Sequence, residues 1–133
     1  MPHSIFADTG ALLAAYNPRD KYYHAAQAFF HSDHRFVTTN FVVDETITLA
    51  LNRVGHRLAV ELGDNLWSGN LAGIVYVTKT DQRLAWDLFK RYDDKMFSFT
   101  DCTSFAVMLR LGLTDVFTFD GDFTQSGLFT KVP

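Results

Sequence analysis

Cysteine is almost absent from this chain, with Cys102 the single one among 133 residues. That excludes an intrachain disulfide framework and makes a reducing compartment the default expectation. Long apolar runs are missing too. No stretch approaches the roughly 18 residues needed to cross a bilayer, so no membrane association is expected. The opening MPHSIFAD has neither a basic segment nor a long apolar one, so it does not read as a secretory signal, and a cytoplasmic chain is expected. Positive charge is not in excess. Twelve Lys and Arg stand against fifteen Asp and Glu, for a net charge of −3 and a pI near 5.9. This excludes a nucleic-acid coat built on bulk positive charge, but it leaves room for a basic rim around an acidic site. Neither GxGxxG nor GxxxxGK[ST] occurs. His31 and His34 are three apart, but no HExxH or Cys/His set completes a zinc site. No histidine lies near Cys102 in sequence to activate it, so Cys102 reads as a small buried hydrophobe.

What remains is a chain of ordinary globular composition, enriched in phenylalanine, with 13. Its length suits a single domain over residues 1–133 and a sizeable core without a structural metal. There is no repeat and no linker. Strand and helix signals alternate: strands at 4–7, 36–39, 73–77, 116–119 and 129–132, and helices at 10–16, 22–30, 40 to about 54, 56–67, 80 to about 92 and 101–111. Asn40, Thr80 and Thr100 are the expected caps of the third, fifth and sixth helices. IFA, IVYV and VFTF are apolar enough to be covered on both faces. The order implies an α/β fold, with a parallel central sheet of about five short strands and helices on both faces. Right-handed crossovers then put every strand's C-terminal end on one edge.

Four acids fall at that edge. Asp8 ends the first strand in FADTG, and Asp120 ends the fourth in TFDGD. Glu45 lies early in the helix after the second strand, in FVVDETITL, and Asp101 opens the sixth helix in FTDCTSFAV. Each has an ordinary alternative. Asp8 and Asp101 suit helix starts. Glu45, among apolar neighbours Phe41, Val42, Thr48 and Leu49, can pair with Arg53 or Arg57. Asp-Gly in TFDGDF can turn a hairpin. Convergence has no such alternative, since independent caps have no reason to meet in one cleft. Clustered carboxylates repel and raise one another's pKa. An oxygen-seeking divalent cation relieves the conflict, and such ions polarise phosphates and activate water near neutral pH. The pattern suggests metal-dependent phosphodiester hydrolysis.

FADTGALLAAY, ETITL, TDCTSFAVM and VFTFDGDF together resemble a PIN-domain ribonuclease, most like the VapC-type toxins of toxin–antitoxin pairs, over essentially the whole chain. The resemblance implies that Asp8, Glu45, Asp101 and Asp120 bind Mg²⁺, with Mn²⁺ a substitute in the same oxygen site. It gives supporting roles to Thr9 and Asp122. Gly10 departs from it, because many members carry serine or asparagine there. It further implies an endoribonuclease leaving 5′-phosphate and 3′-hydroxyl ends, a structured RNA substrate with an exposed loop, a cognate antitoxin and a homodimer. Arg19 and Lys21, just after the first short helix, are candidate RNA contacts. Tyr22, Tyr23, Phe29 and Phe30 read first as core packing and second as an interface. Two alternatives stay open: a non-catalytic PIN-fold module binding RNA or protein, and an aspartyl-phosphate phosphotransferase or phosphatase with Asp8 as nucleophile.

Overall fold

A computed structural model describes residues 3–133. Five strands, β1 (Ser4–Ala7), β2 (Arg35–Thr39), β3 (Gly73–Val75), β4 (Asp115–Phe117) and β5 (Thr130–Val132), form one sheet in the order β3-β2-β1-β4-β5. Every pairing is parallel, with Phe6 of β1 opposite Val37 on one side and Val116 on the other. The helices are α1 (Thr9–Tyr16), α2 (Tyr23–Phe30), α3 (Asn40–Arg53), α4 (His56–Trp67), α5 (Lys79–Arg91), α6 (Phe99–Leu111) and α7 (Asp122–Gln125). From β1 the chain winds outward through β2 to β3, then returns across the sheet to β4. The strand order therefore reverses between β1 and β4. In open parallel sheets such a reversal leaves a crevice beyond the strands' C-terminal ends, where ligands bind.

Sequence and structure agree on the fold class and differ at the edges of elements. Parallel pairing of β4 and β5, with α7 between them, rules out the hairpin reading of TFDGDF. β4 stops at Phe117 instead of 119, and β3 at Val75 instead of 77. The three expected caps are also displaced. Thr39, not Asn40, caps α3 by accepting from Val42 N. Asn40 Oδ1 instead accepts from Val77 N at 2.8 Å, tying the end of β3 to the start of α3. Thr78 replaces Thr80, and Ser98 replaces Thr100. Each forms a capping box with an aspartate three residues on, Asp81 and Asp101 respectively. The reciprocal bond satisfies two orphan N–H groups at once, which a lone Thr80 or Thr100 hydroxyl cannot do.

The phenylalanines explain how a small sheet is sealed. Phe6, Phe105, Phe117 and Phe123 are wholly buried. Phe105 meets Phe123 edge-to-face at 5.0 Å and Phe97 at 5.1 Å, a geometry aromatic quadrupoles favour. Residues 102–108 of α6 are all buried, so this helix runs through the core instead of over it. Cys102 is among them, and burial pushes its thiol up to about 11, as expected of an inert core residue. Phe30 is buried and Phe29 packs against the core, whereas Tyr22 is exposed and stacks on Phe119 at 4.3 Å. No helix among the described residues is long and apolar enough to cross a membrane.

Candidate active site

Asp8 follows β1 directly, on the β1 side of the strand-order reversal. It caps α1, its Oδ1 accepting from Ala11 N at 2.9 Å. Its Oδ2 accepts from the Thr118 hydroxyl, and Thr118 Oγ1 in turn accepts from Asp120 N at 3.2 Å. One threonine at the end of β4 thus joins two acids that are far apart in the chain. Asp120 Oδ1 accepts from Asp122 N at 2.9 Å, which fixes the start of α7. Asp101 is held from another direction, its Oδ2 accepting from Ser98 N at 3.0 Å. Glu45 sits on α3 with no ion pair among the described residues. Arg57, one of its expected partners, pairs with Glu61 at 3.5 Å instead.

Asp8, Glu45, Asp101, Asp120 and Asp122 line one cavity of about 330 Å³, together with Thr9, Gly10, Leu49, Arg53, Met96, Ser98 and Ser104. Asp8, Glu45, Asp101, Asp120, Thr9 and Asp122 are therefore neighbours, as the strand-edge reading expects. Arg19 lies in a small adjoining groove of about 280 Å³, while Lys21 lies over the Tyr22 ring. The ordinary readings of Asp8 and Asp101 hold as well, since both cap helices. One oxygen can serve a cap while the carboxylate faces the cavity. A Cβ on Gly10 would meet Asp8 Oδ1 at 3.7 Å, an ordinary contact, so glycine is not sterically required there.

The electrostatics are those of an uncompensated cluster. Asp8 is 6 % exposed. Its carboxyl is pushed up to about 7, first by burial and then by the charges of Asp120 and Asp101. Its bonds from Thr118 and Ala11 oppose the rise. Asp101 rises to about 6, again by burial first, with Asp122, Asp120 and Glu45 adding to it and the Ser98 N–H opposing. Asp122 is raised by burial and by Asp120. Groups so arranged hold protons or a cation near neutral pH. The donor set is all oxygen, which suits a hard divalent cation such as Mg²⁺ or Mn²⁺. Among the described residues no three His, Cys, Asp or Glu side chains approach closely enough to enclose an ion. A cavity of this size around dispersed carboxylates fits an ion that keeps several waters.

Sequence reasoning missed Thr118 and Ser98, and it offered Arg53 as an ion-pair partner of Glu45, which the structure does not show among the described residues. Arg53 was readable, since it falls eight residues after Glu45 and hence on the same face of α3. Thr118 was not, because its partner lies 110 residues away.

A parallel sheet with acids gathered at its reversal point is the architecture of PIN-domain nucleases. The PIN domain model matches residues 5–127, and the chain belongs to that family, whose nucleases are in general divalent-metal dependent. It is 37% identical over 130 residues to the 23S rRNA-specific endonuclease VapC20 of Mycobacterium tuberculosis, a match covering 97% of this chain and 98% of that protein. The crystal structure of M. tuberculosis VapC20, described as a sarcin-ricin loop cleaving toxin, superposes with a TM-score of 0.90 at 36% identity, over 96% of this chain and 98% of that one. FitAcB from Neisseria gonorrhoeae shares the fold alone, with a TM-score of 0.72 at 14% identity over 97% of this chain and 96% of that one.

Proposed function

We propose that this chain is a Mg²⁺-dependent endoribonuclease, the toxin of a VapBC-type pair, with a ribosomal RNA stem-loop as its substrate class. The observation that carries the reading is the meeting of Asp8, Glu45, Asp101 and Asp120, from separate elements, in one cavity at the strand-order reversal. The 37% identity to a 23S rRNA-specific endonuclease over nearly the full length of both chains supports the substrate class. Mn²⁺ is expected to substitute for Mg²⁺, and a homodimer held inactive by a cognate antitoxin is the expected resting form.

When bound, a divalent ion supplies charge neutralisation at the scissile phosphate and lowers the pKa of water. The chain's own part is positioning. Thr118 and the Ala11 N–H fix both oxygens of Asp8, so the carboxylate cannot rotate away from the cavity. The Ser98 N–H does the same for one oxygen of Asp101 and leaves Oδ1 directed elsewhere. Asp8, Asp101 and Asp120 form the ion-binding side. Glu45, on α3, would ligate the ion or orient the attacking water, with Thr9 and Asp122 supporting. In-line attack would leave a 5′-phosphate and a 3′-hydroxyl. The aspartyl-phosphate alternative is disfavoured by membership of the PIN family and by 37% identity to an endonuclease over 97% of this chain.

The test is cleavage of a sarcin–ricin-type RNA hairpin in Mg²⁺, followed by end-mapping. The wild-type chain should cut within the loop. Asp101→Asn should lose at least about a hundredfold in rate while keeping a cooperative melt, the scale of removing one electrostatic group from a catalytic site. Wild-type rates in Asp101→Asn would overturn the assignment. Absence of any metal-dependent cutting by the wild-type chain, on this or other RNA, would favour the binding-module alternative.

A further inference from the structure

An acidic cavity poses a difficulty for its own substrate. RNA is a polyanion, and Asp8, Glu45, Asp101, Asp120 and Asp122 all face the place where a phosphate must enter. A divalent ion offsets part of that charge at the scissile phosphate, but not at its neighbours. Among the described residues, Arg53 is the one cation lining the cavity. It ends α3, two helical turns and about 12 Å along the axis beyond Glu45, with Leu49 between them on the same stripe. It is exposed, and among the described residues no carboxylate oxygen lies within 4.0 Å of it. Its charge is not used to neutralise Glu45.

The same side chain borders the adjoining groove, which it shares with Asn17, Pro18, Arg19 and Val54. Arg19 is also exposed and also lacks a carboxylate within 4.0 Å among the described residues. The loop carrying it is fixed locally, because Asn17 Oδ1 accepts from Arg19 N at 3.1 Å and Asp20 Oδ1 accepts from Tyr22 N at 2.8 Å. Two guanidinium groups thus mark a path leading out of the acidic cavity. The planar fork of a guanidinium matches two phosphate oxygens, which a solvated surface charge need not do.

Resting on the ribonuclease reading above, we propose that Arg53, with Arg19 beyond it, grips the RNA backbone on one side of the cut, at phosphates next to the scissile one. Arg53 is a positioning residue. Its backbone stands about two turns along α3 from Glu45, and it sets the register of the strand across the acids. Its position in the last turn of α3 also complements the helix dipole, so the test must move something that a purely structural role would not.

The experiment uses the full chain carrying Asp101→Asn, so that RNA stays intact, and a fluorescently labelled RNA hairpin with a single-stranded loop. Affinity is measured between about 50 and 200 mM salt, where phosphate contacts dominate the dependence. In this background Arg53→Gln should weaken binding about tenfold and reduce the slope of log affinity against log salt by about 0.7, the value for one contact to a single strand. Arg53→Lys should keep the slope and recover part of the affinity. Arg19→Gln should give a second reduction of the same kind. In the otherwise wild-type chain, Arg53→Gln should raise KM with kcat nearly unchanged. Unchanged affinity and slope in a folded Arg53→Gln variant would overturn the proposal, and so would a fall in kcat alone. Loss of binding to a polyglutamate probe with RNA binding intact would assign the path to an acidic polypeptide and overturn it too. Cleavage by the wild-type chain is read in parallel. Its absence refutes the nuclease reading, whereas wild-type cleavage matched by Arg53→Gln at RNA concentrations well below KM refutes this proposal alone.

Discussion

Replacing Asp8 by asparagine should make the metal-free protein more stable at alkaline pH while destroying its activity. The carboxyl is pushed from an ordinary 3.8 to about 7, chiefly by burial. Below about pH 3.8 folded and unfolded chains both hold the proton, and the site costs nothing. Between 3.8 and 7 the unfolded chain ionises while the folded carboxyl keeps its proton, so stability falls as pH rises. Above about 7 the folded group is ionised and the cost is complete. At roughly 1.4 kcal/mol per pH unit, the interval amounts to about 4 kcal/mol. Asparagine can keep the Ala11 cap through its oxygen but leaves the Thr118 hydroxyl without its acceptor, a loss of about 1 kcal/mol. The net expectation is a gain of about 3 kcal/mol at pH 8, or about 10 °C in melting temperature for a chain of this length. At pH 4 the gain should vanish or change sign. Circular-dichroism melts in EDTA across this range provide the assay. With Mg²⁺ or Mn²⁺ added, the wild type should rise by mass action and the variant should not, closing the gap. An advantage independent of pH, or no advantage at pH 8, would refute the claim that Asp8 is a buried charge awaiting a cation.

Other perturbations separate scaffold from site. Arg110 holds Asp81 through both guanidinium contacts at 2.9 Å, and Asp81 is 3 % exposed while lying just beneath the surface. Arg110→Gln should cost about 2 kcal/mol at pH 7 in denaturant titrations. Because Arg110 lowers the Asp81 pKa, the difference should fade as pH drops below about 3.8. Ser98→Ala removes the hydroxyl that accepts from Asp101 N and should cost about 1 kcal/mol, with cleavage reduced far less than in Asp101→Asn. Gly10→Ala should stabilise α1 by about 0.5–1 kcal/mol, since the added methyl meets only ordinary contacts. Its RNA cleavage should persist, and loss of cleavage there would mean that the cavity has no room to spare beside Asp8.

The layout of the site was readable because it follows from two coarse rules. Buried-looking strands such as IFA and VFTF imply parallel pairing, and parallel pairing sends every strand end to one edge. Asp8 and Asp120 are then neighbours without any knowledge of side-chain detail. What could not be read was how they are held. Thr118 contacts Asp8 from the end of the neighbouring strand, but the two lie 110 residues apart in the chain, and no local pattern encodes such a partner. The displaced caps have a different cause. Thr78 and Thr80, and likewise Ser98 and Thr100, are equally plausible caps by residue type, and the decision rests on which has an acid three residues on. Asp81 and Asp101 supplied that signal, but an aspartate is a less usual partner there than glutamate. The four-residue α7 was too short to show any period.

The helix caps and the acidic site are one arrangement. Asp8 and Asp101 each direct carboxylate oxygen to backbone N–H groups at a helix start, a placement that favours the ionised form through the local dipole. Burial and mutual repulsion favour the protonated form, and at Asp8 they win by several orders of magnitude in proton affinity. The caps therefore do not neutralise the acids but hold them in place while they remain costly. A side chain free to rotate would relieve the repulsion by turning toward solvent, and the cavity would lose its charge. Held by Ala11 N, Thr118 and Ser98 N, the carboxylates cannot do so, and the conflict persists in the folded state until a cation or a proton resolves it. On the proposed reading, ion binding need not include the entropy of fixing Asp8 and Asp101, whose carboxylates are already held by these bonds.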